Sequence, residues 1–283
     1  MFTRERPANL AWPYLNPNSP LYQGLVFAGL GPHPGGYDFH DCSPYRNHGT
    51  LTNMAVPATA TSGWAWDNYL GRWAAVFDGT NDHINLGAVP LGHSLWLPTT
   101  LTVVTWHKTN GDYTTSQSLV GHCQTSGATG NYALTFGYTN SKIEFWNNIA
   151  GPNITSAASI SSDVWRHVAV TRTGTTGAWP LELFLNGVSD KTATATANPS
   201  GTYDIGTSIG RLGNYNGYYL NGSLSDMLLW DHALSLSEIA ALADPSNVML
   251  SGLILPPRRR LWAISAAATG NRRRRLLLCG SPR

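Results

Sequence analysis

The sequence predicts an all-β protein built as an antiparallel two-sheet sandwich, and three features carry that prediction. The first is a hairpin. Residues 164–172 and 181–185 are runs of β-branched, aromatic and alternating apolar residues, and Asn186-Gly187 then turns the chain into residues 188–194. Asn-Gly is the pair that most readily holds two successive residues at positive φ, as a type I′ turn requires. The second feature is composition: only 12% of residues are charged, while 29 Gly, 11% aromatic residues and abundant Thr, Ser and Asn suit short strands and many turns rather than helices. The third is repetition, because short strand-like runs bounded by turn formers recur at the spacing of an antiparallel sandwich. A chain of 283 residues can bury a large core, and we read it as one domain with appendages.

Taken in order, residues 1–21 set Pro7, Pro13, Pro17 and Pro20 around Trp12 and Tyr14, which disfavours a regular helix or central strand and predicts an extended arm. The domain proper is expected over residues 22–244. Residues 21–27 read as its first strand and 48–52 as the next, separated by a Gly/Pro loop. Residues 73–77 and 83–86 flank the polar turn Asp78-Gly79-Thr80-Asn81-Asp82. Residues 101–106, 117–122, 132–138 and 142–146 follow as strands, with Thr139-Asn140-Ser141 as a turn. After the hairpin, residues 205–211 and 218–230 close the sandwich. One helix is expected: Ser235-Leu236-Ser237-Glu238 is a capping box, in which hydroxyl and carboxylate each satisfy a backbone N–H, and Asp244-Pro245 ends the helix. Residues 245–283 lose the pattern and read as a basic extended tail that orders only against something.

The net charge of +2 hides a division. Eight of the 18 Lys and Arg, and none of the 16 Asp and Glu, follow residue 244, so the tail carries +8 and the body −6. An acidic body with a basic tail reads as an electrostatic attachment device; the plainer alternative is a solvated charge run. Cys42, Cys123 and Cys279 form no metal-ligand spacing and no disulfide framework; free thiols are expected, with a Cys42–Cys123 bridge in an oxidising compartment as the alternative. The N-terminus lacks the apolar run of a signal peptide, and residues 248–255 are too short to span a bilayer, so no membrane segment is expected.

Several local patterns fall in one order along the chain: Asp41-Cys42-Ser43 with Asn47-His48-Gly49-Thr50-Leu51, then Phe77-Asp78-Gly79 with Asp82-His83-Ile84, then Trp165-Arg166-His167-Val168-Ala169, then Leu183-Phe184-Leu185-Asn186-Gly187, and finally Leu220-Asn221-Gly222-Ser223-Leu224-Ser225-Asp226 with Glu238-Ile239. This series resembles the laminin G-like, concanavalin A-like jelly roll family over residues 22–243. The resemblance implies two packed antiparallel sheets in jelly-roll topology, one face convex and one concave, with one short C-terminal helix and extended terminal arms. It also implies a non-enzymatic module for glycans or proteins, often with calcium. The ends, Asn16-Pro17-Asn18-Ser19-Pro20 and residues 253–262, resemble the termini of laminin G-like proteins from tailed-phage genomes. They imply a virion component that decorates the head or forms part of a tail or fibre, located in the virion after assembly in the host cytoplasm.

Calcium needs several oxygen ligands, and Asp41, Asn47 and Asp226 match positions where the resembling family gathers them. The competing reading is that Asp41 and Asp78 only cap their turns through side-chain to backbone hydrogen bonds. For glycans, Tyr215, Tyr218 and Tyr219 stand out in a loop that combines rings with amides, whereas Trp106, Trp165 and Trp230 read as core; Trp64, Trp66, Tyr69 and Trp146 are further rings. For a partner, Arg258, Arg259, Arg260, Arg272, Arg273, Arg274 and Arg275 supply charge and Trp262 an apolar anchor. An acidic body with no nucleic-acid motif disfavours nucleic acid and favours an acidic protein surface, either a capsid or tail protein or a second copy.

Enzyme chemistry is disfavoured. A retaining glycosidase needs two carboxylates in one cleft, and neither Glu144 nor Glu182 has an acid two residues away. No Gly-x-Ser-x-Gly elbow accompanies His167. The sequence therefore predicts a non-enzymatic binding or structural module attached through its arms, with a calcium-dependent carbohydrate-binding lectin-like domain as the alternative. A glycoside hydrolase or lyase stands third, because folds do not fix function.

Overall fold

A computed structural model describes residues 14–31, 36–90, 92–97, 99–111, 115–123, 130–137, 141–148, 153–174, 177–196, 206–213, 215–247 and 252–255. In chain order the first strands are β1 (Tyr14–Leu15), β2 (Leu25–Gly29), β3 (Asp38–Phe39), β4 (Gly49–Thr52), β5 (Gly63–Asp67), β6 (Arg72–Asp78), β7 (His83–Ala88), β8 (Leu101–Thr109) and β9 (Gln117–Cys123). They continue as β10 (Gly130–Phe136), β11 (Ile143–Trp146), β12 (Ile154–Thr155), β13 (Arg166–Arg172), β14 (Trp179–Leu185), β15 (Val188–Ala195), β16 (Gly206–Ile209) and β17 (Asn221–Trp230), then helix α1 (Leu236–Leu242) and β18 (Ile254–Leu255).

The strands form two large antiparallel sheets, as expected for a concanavalin A-like jelly-roll sandwich. The front sheet runs β12-β11-β10-β9-β16-β7-β4-β3, and the back sheet β15-β14-β13-β8-β17-β6-β5, with β2 also beside β17. Alternation along each strand sends one set of side chains between the sheets. Leu51, Ile84, Leu134, Phe136, Phe145 and Ile209 of the front sheet meet Phe77, Leu101, Val103, Val168, Val170 and Leu183 of the back sheet in one buried core. The predicted hairpin is present: Leu185 pairs with Val188 across Asn186 (φ 50°) and Gly187 (φ 79°), the two positive dihedrals of a type I′ turn. Gly187 serves a second purpose, since a Cβ there would lie 2.8 Å from the Ala243 side chain.

A second apolar cluster lies outside the back sheet, where α1 covers it. Ile239 and Leu242 of the helix join Leu21, Leu25, Val104, Phe184, Trp230 and Leu253. The capping box forms as expected, with the Glu238 N–H donating to Ser235 Oγ and the Ser235 N–H to the Glu238 carboxylate. Trp230 is buried and donates its Nε1–H to the Leu21 carbonyl at 2.8 Å.

Three features depart from the expected element list. Residues 63–67, assigned to no strand from the sequence, form strand β5, whose Trp64 faces the core and stacks on Phe39 at 5.8 Å. The ends pair with each other, Tyr14 with Leu255 and Leu15 with Ile254, and the Asn16 N–H donates to the Leu253 carbonyl at 2.7 Å. Residues 252–255 thus order against the arm, with Leu253 fully buried. Finally, β17 bulges at Asp226, whose φ of 52° breaks the alternation, so that Leu224 and Met227 both face the core. Cys42 and Cys123 are free thiols, and burial together with neighbouring Asp41 pushes the Cys42 thiol up to about 12. Among the described residues no helix is long and apolar enough to cross a membrane.

Candidate functional site

The outer face of the front sheet carries the best-formed site. Since Phe39, Leu51, Ile84, Ile209, Leu134 and Phe145 face the core, their strand neighbours point the other way. Register then lines up one row across seven strands: Asp38 opposite Thr50, Thr50 opposite Asn85, Asn85 opposite Ser208, Ser208 opposite Gly121, Gly121 opposite Ala133, and Ala133 opposite Trp146. At about 4.8 Å per strand the row spans about 29 Å. It is polar and open at the Asp38 end and aromatic and covered at the Trp146 end.

A loop closes over the middle. Gly121 has no side chain because residues 212–213 sit on it: a Cβ there would lie 2.9 Å from both the Gly213 nitrogen and Leu212 Cδ1. Leu212 packs with Cys123, Ala133 and Trp146, and Tyr215 and Tyr218 rest against this cluster. The Tyr218 ring meets Trp146 edge-on at 6.2 Å and Tyr215 at 5.8 Å. Trp146 itself is only 4% exposed, so Tyr215 and Tyr218, both half-buried, present the aromatic surface. Tyr218 is held at φ 57°, a left-handed backbone that costs a bulky residue about 1–2 kcal/mol. Its carbonyl accepts the Ser118 N–H at 2.8 Å, which ties the strained residue to β9.

On the polar side, Tyr219 turns away from its neighbours and lies against His83 at 6.2 Å, its hydroxyl donating to Asn216 Oδ1 at 2.5 Å. His83 Nδ1 lies 2.9 Å from the Asn81 carbonyl, so that nitrogen carries the proton. Burial first, and Arg211 to a lesser extent, hold the His83 imidazole below its usual range. Arg211 donates Nε–H to the Gly213 carbonyl at 2.9 Å and Nη2–H to Ser208 Oγ at 3.2 Å, which fixes the guanidinium above the row. The structure thus brings the three predicted tyrosines into one loop but divides them, Tyr215 and Tyr218 on the aromatic side and Tyr219 on the polar side.

The predicted calcium ligands do not assemble. Asp41 Oδ1 accepts the N–H groups of Ala28 and Ser43, both at 2.8 Å, and Oδ2 accepts the Ser43 hydroxyl at 2.6 Å and the Asn47 N–H at 2.7 Å. Its lone pairs are filled by donors whose positive ends would repel a cation, the turn-capping role that competed with calcium. The Asn47 amide is spent on Val26 and Ser94. Asp226 instead pairs with Arg72 at 3.0 Å. These residues do not fit a calcium ion, and among the described residues no group of three or more His, Cys, Asp or Glu could hold a metal.

The remaining candidates divide by burial. Trp66 packs edge-on against Trp73 in the β5–β6 hairpin, while Tyr69 at its turn is 59% exposed and leans on buried Trp106. Trp165 is buried, donating to Asp67 at 2.7 Å under the Lys108 ammonium. Glu144 and Glu182 lie in different sheets, Glu144 buried against the Thr135 hydroxyl and Glu182 accepting from Ser189. The partner candidates Arg258, Arg259, Arg260, Trp262, Arg272, Arg273, Arg274 and Arg275 lie outside the described residues.

Sequence reasoning missed Thr50, Asn85, Ser208 and Arg211. Alternation within residues 83–86 already placed His83 and Asn85 on one face, but nothing in the sequence says that β16 inserts between β7 and β9 and completes the row.

A family model described as the Concanavalin A-like lectin/glucanases superfamily matches residues 78–240. No curated protein matches the chain. Among solved structures, a Trypanosoma rangeli sialidase mutant displaying trans-sialidase activity is 14% identical with a TM-score of 0.57; the match covers 80% of this chain and 33% of that one. The chain therefore spans about a third of the sialidase's length. The receptor binding domain of botulinum neurotoxin C/D mosaic serotype is 12% identical (TM-score 0.54, 80% and 52% covered). Domain 4 of AbnA, a GH43 extracellular arabinanase from Geobacillus stearothermophilus, in complex with arabinotriose, is 17% identical (TM-score 0.55, 77% and 98% covered). At these identities the likeness is one of fold.

Proposed function

Because the chain belongs to the concanavalin A-like lectin/glucanases superfamily, we propose that it is a non-enzymatic binding module whose front-sheet face holds a glycan. The observation that carries this reading is the row from Asp38 to Trp146 capped by the Tyr215–Tyr218 pair: hydroxyls and amides that can meet sugar hydroxyls lie beside rings that can stack on a sugar face. The left-handed Tyr218 supports it, since such strain persists where the surroundings impose a particular ring position. That the arabinanase domain is held with arabinotriose is consistent with a sugar on this fold. Binding rather than hydrolysis is favoured because Glu144 and Glu182 occupy separate sheets, whereas a retaining pair stands about 5–5.5 Å apart in one cleft.

The test is a panel of immobilised glycans probed with the full chain and with a Tyr215→Ala, Tyr218→Asn double variant; Asn tolerates the positive φ, so only the rings are lost. A bound glycan whose affinity falls at least about tenfold in the variant is expected. Equal binding by both proteins, or turnover of the glycan, would refute the reading.

A second reading, attachment to a virion as head decoration or as part of a tail or fibre, is favoured by one observation. The pairing of β1 with β18 starts both terminal segments from one point on the sandwich, as a single attachment site would need. Its test is co-sedimentation with virion particles of the full chain and of a chain cut after Leu255, with loss of attachment expected on cutting.

A further inference from the structure

Arg211 stands out on the proposed glycan face as a cation with no counter-ion among the described residues. Of its five N–H donors, one on Nε and one on Nη2 are used, by the Gly213 carbonyl and Ser208 Oγ. Among the described residues the ion pairs are Arg72–Asp226, Lys108–Asp67 and His232–Asp231, and none includes Arg211. Both acceptors are neutral, and one is the backbone of the loop that forms the aromatic side, so the guanidinium is oriented before any ligand arrives. It is half-buried, which makes an ion pair there worth more than one in open water. The nearest acid along the row, Asp38, stands three strands from Ser208, about 14 Å away. A neutral sugar would leave this charge unanswered.

We propose that the face is selective for sugars carrying a carboxylate, with the free edge of the Arg211 guanidinium holding the carboxylate while Tyr219 and the Tyr215–Tyr218 pair border the ring. Resting on the glycan-binding reading above, the proposal adds the chemical class of the ligand. A planar fork of donors matches a carboxylate two-to-two, which explains an Arg rather than a Lys at this place. Asn85 and Thr50, next along the row, supply neutral donors and acceptors for the sugar hydroxyls.

The experiment uses the full chain and ligands matched except at the charged group: an oligogalacturonate against its methyl ester, sialyllactose against its methyl ester, and a sulfated oligosaccharide against its desulfated form. Each is titrated into wild type, Arg211→Gln, Arg211→Lys and Tyr218→Asn. The acid is expected to bind at least about tenfold more tightly than its ester or neutral parent, the worth of one charge-assisted hydrogen-bonded pair. Arg211→Gln should bring the ratio of acid to neutral affinity to about one, Arg211→Lys should keep part of the preference, and Tyr218→Asn should weaken both forms alike.

Equal affinity of acid and ester for the wild type overturns the proposal without recourse to any variant, so a variant that fails to fold leaves the test intact. A preference that survives in folded Arg211→Gln overturns it as well, as does a preference confined to the sulfated ligand. If acid and neutral forms bind equally and both lose affinity with Tyr218→Asn, glycan binding stands while the carboxylate preference falls; if no sugar binds, both fall.

Discussion

Replacing Asp226 with Asn should destabilise the protein by about 3 kcal/mol, because it strands a buried guanidinium. Arg72 is 13% exposed and Asp226 5%, and their side chains meet at 3.0 Å outside the β17 bulge. Arg72 Nε and Nη2 find no acceptor among the described residues, so the carboxylate is its main compensation. Removing one member of a buried pair costs about 3–5 kcal/mol, and the partial exposure of Arg72 argues for the low end. Asn is the informative substitute: it keeps shape and tolerates the φ of 52°, whereas Ala would add about 1–2 kcal/mol of left-handed backbone strain. Urea unfolding should show a midpoint about 1 M lower for Asp226→Asn, taking about 3 kcal/mol per M for a chain of this size. Arg72→Met combined with Asp226→Asn should be more stable than Asp226→Asn alone, since no charge is then left unpaired. A loss under about 1 kcal/mol, or a double variant whose loss equals the sum of the singles, would refute the reasoning. A chelator should leave the wild-type midpoint unmoved, since the carboxylate faces Arg72.

Further outcomes follow from burial and close approach. Gly121→Val should push residues 212–213 off the front sheet, costing about 1–3 kcal/mol in urea unfolding and weakening any bound glycan, because the added Cβ meets the Gly213 nitrogen and Leu212 Cα as well as the Leu212 side chain. Cutting after residue 244 should lower stability by about 1.5–3 kcal/mol relative to cutting after Leu255, as only the shorter chain loses buried Leu253; equal midpoints would sink this. Burial holds His107, His122 and His167 down at about 3. Between that value and 6.5 the unfolded chain binds protons that the folded one refuses, so stability should fall as pH drops below 6.5. The slope is at most about 1.4 kcal/mol per pH unit for each histidine, and unfolding midpoints that stay flat from pH 7.5 to 5 would refute it.

The sequence by itself determined whatever depends on local chemistry. Asn186-Gly187 specifies its turn through two positive dihedrals, Ser235 and Glu238 cap the helix start, and alternation in the runs 101–106 and 166–172 separates core from face. The same logic found the Tyr215–Tyr219 loop, where rings and amides fall together. Residues 63–67 escaped because Trp64 and Trp66 read as candidate stacking rings, and their burial depends on Phe39 and Trp73 packing against them. Asp41 and Asp226 show the same limit. A carboxylate in a loop looks alike whether it will face a cation, backbone N–H groups or a guanidinium, and only the approach of Ala28 and of Arg72 decides. The row from Asp38 to Trp146, with Arg211 above it, joins strands drawn from residues 38 to 209, and β16 must slot between β7 and β9 to complete it. Side-chain alternation is a property of one strand, whereas a binding face is a property of register between strands. Register is set by packing across the whole sandwich, which is why the tertiary structure alone fixed which polar residues share a face with the tyrosines.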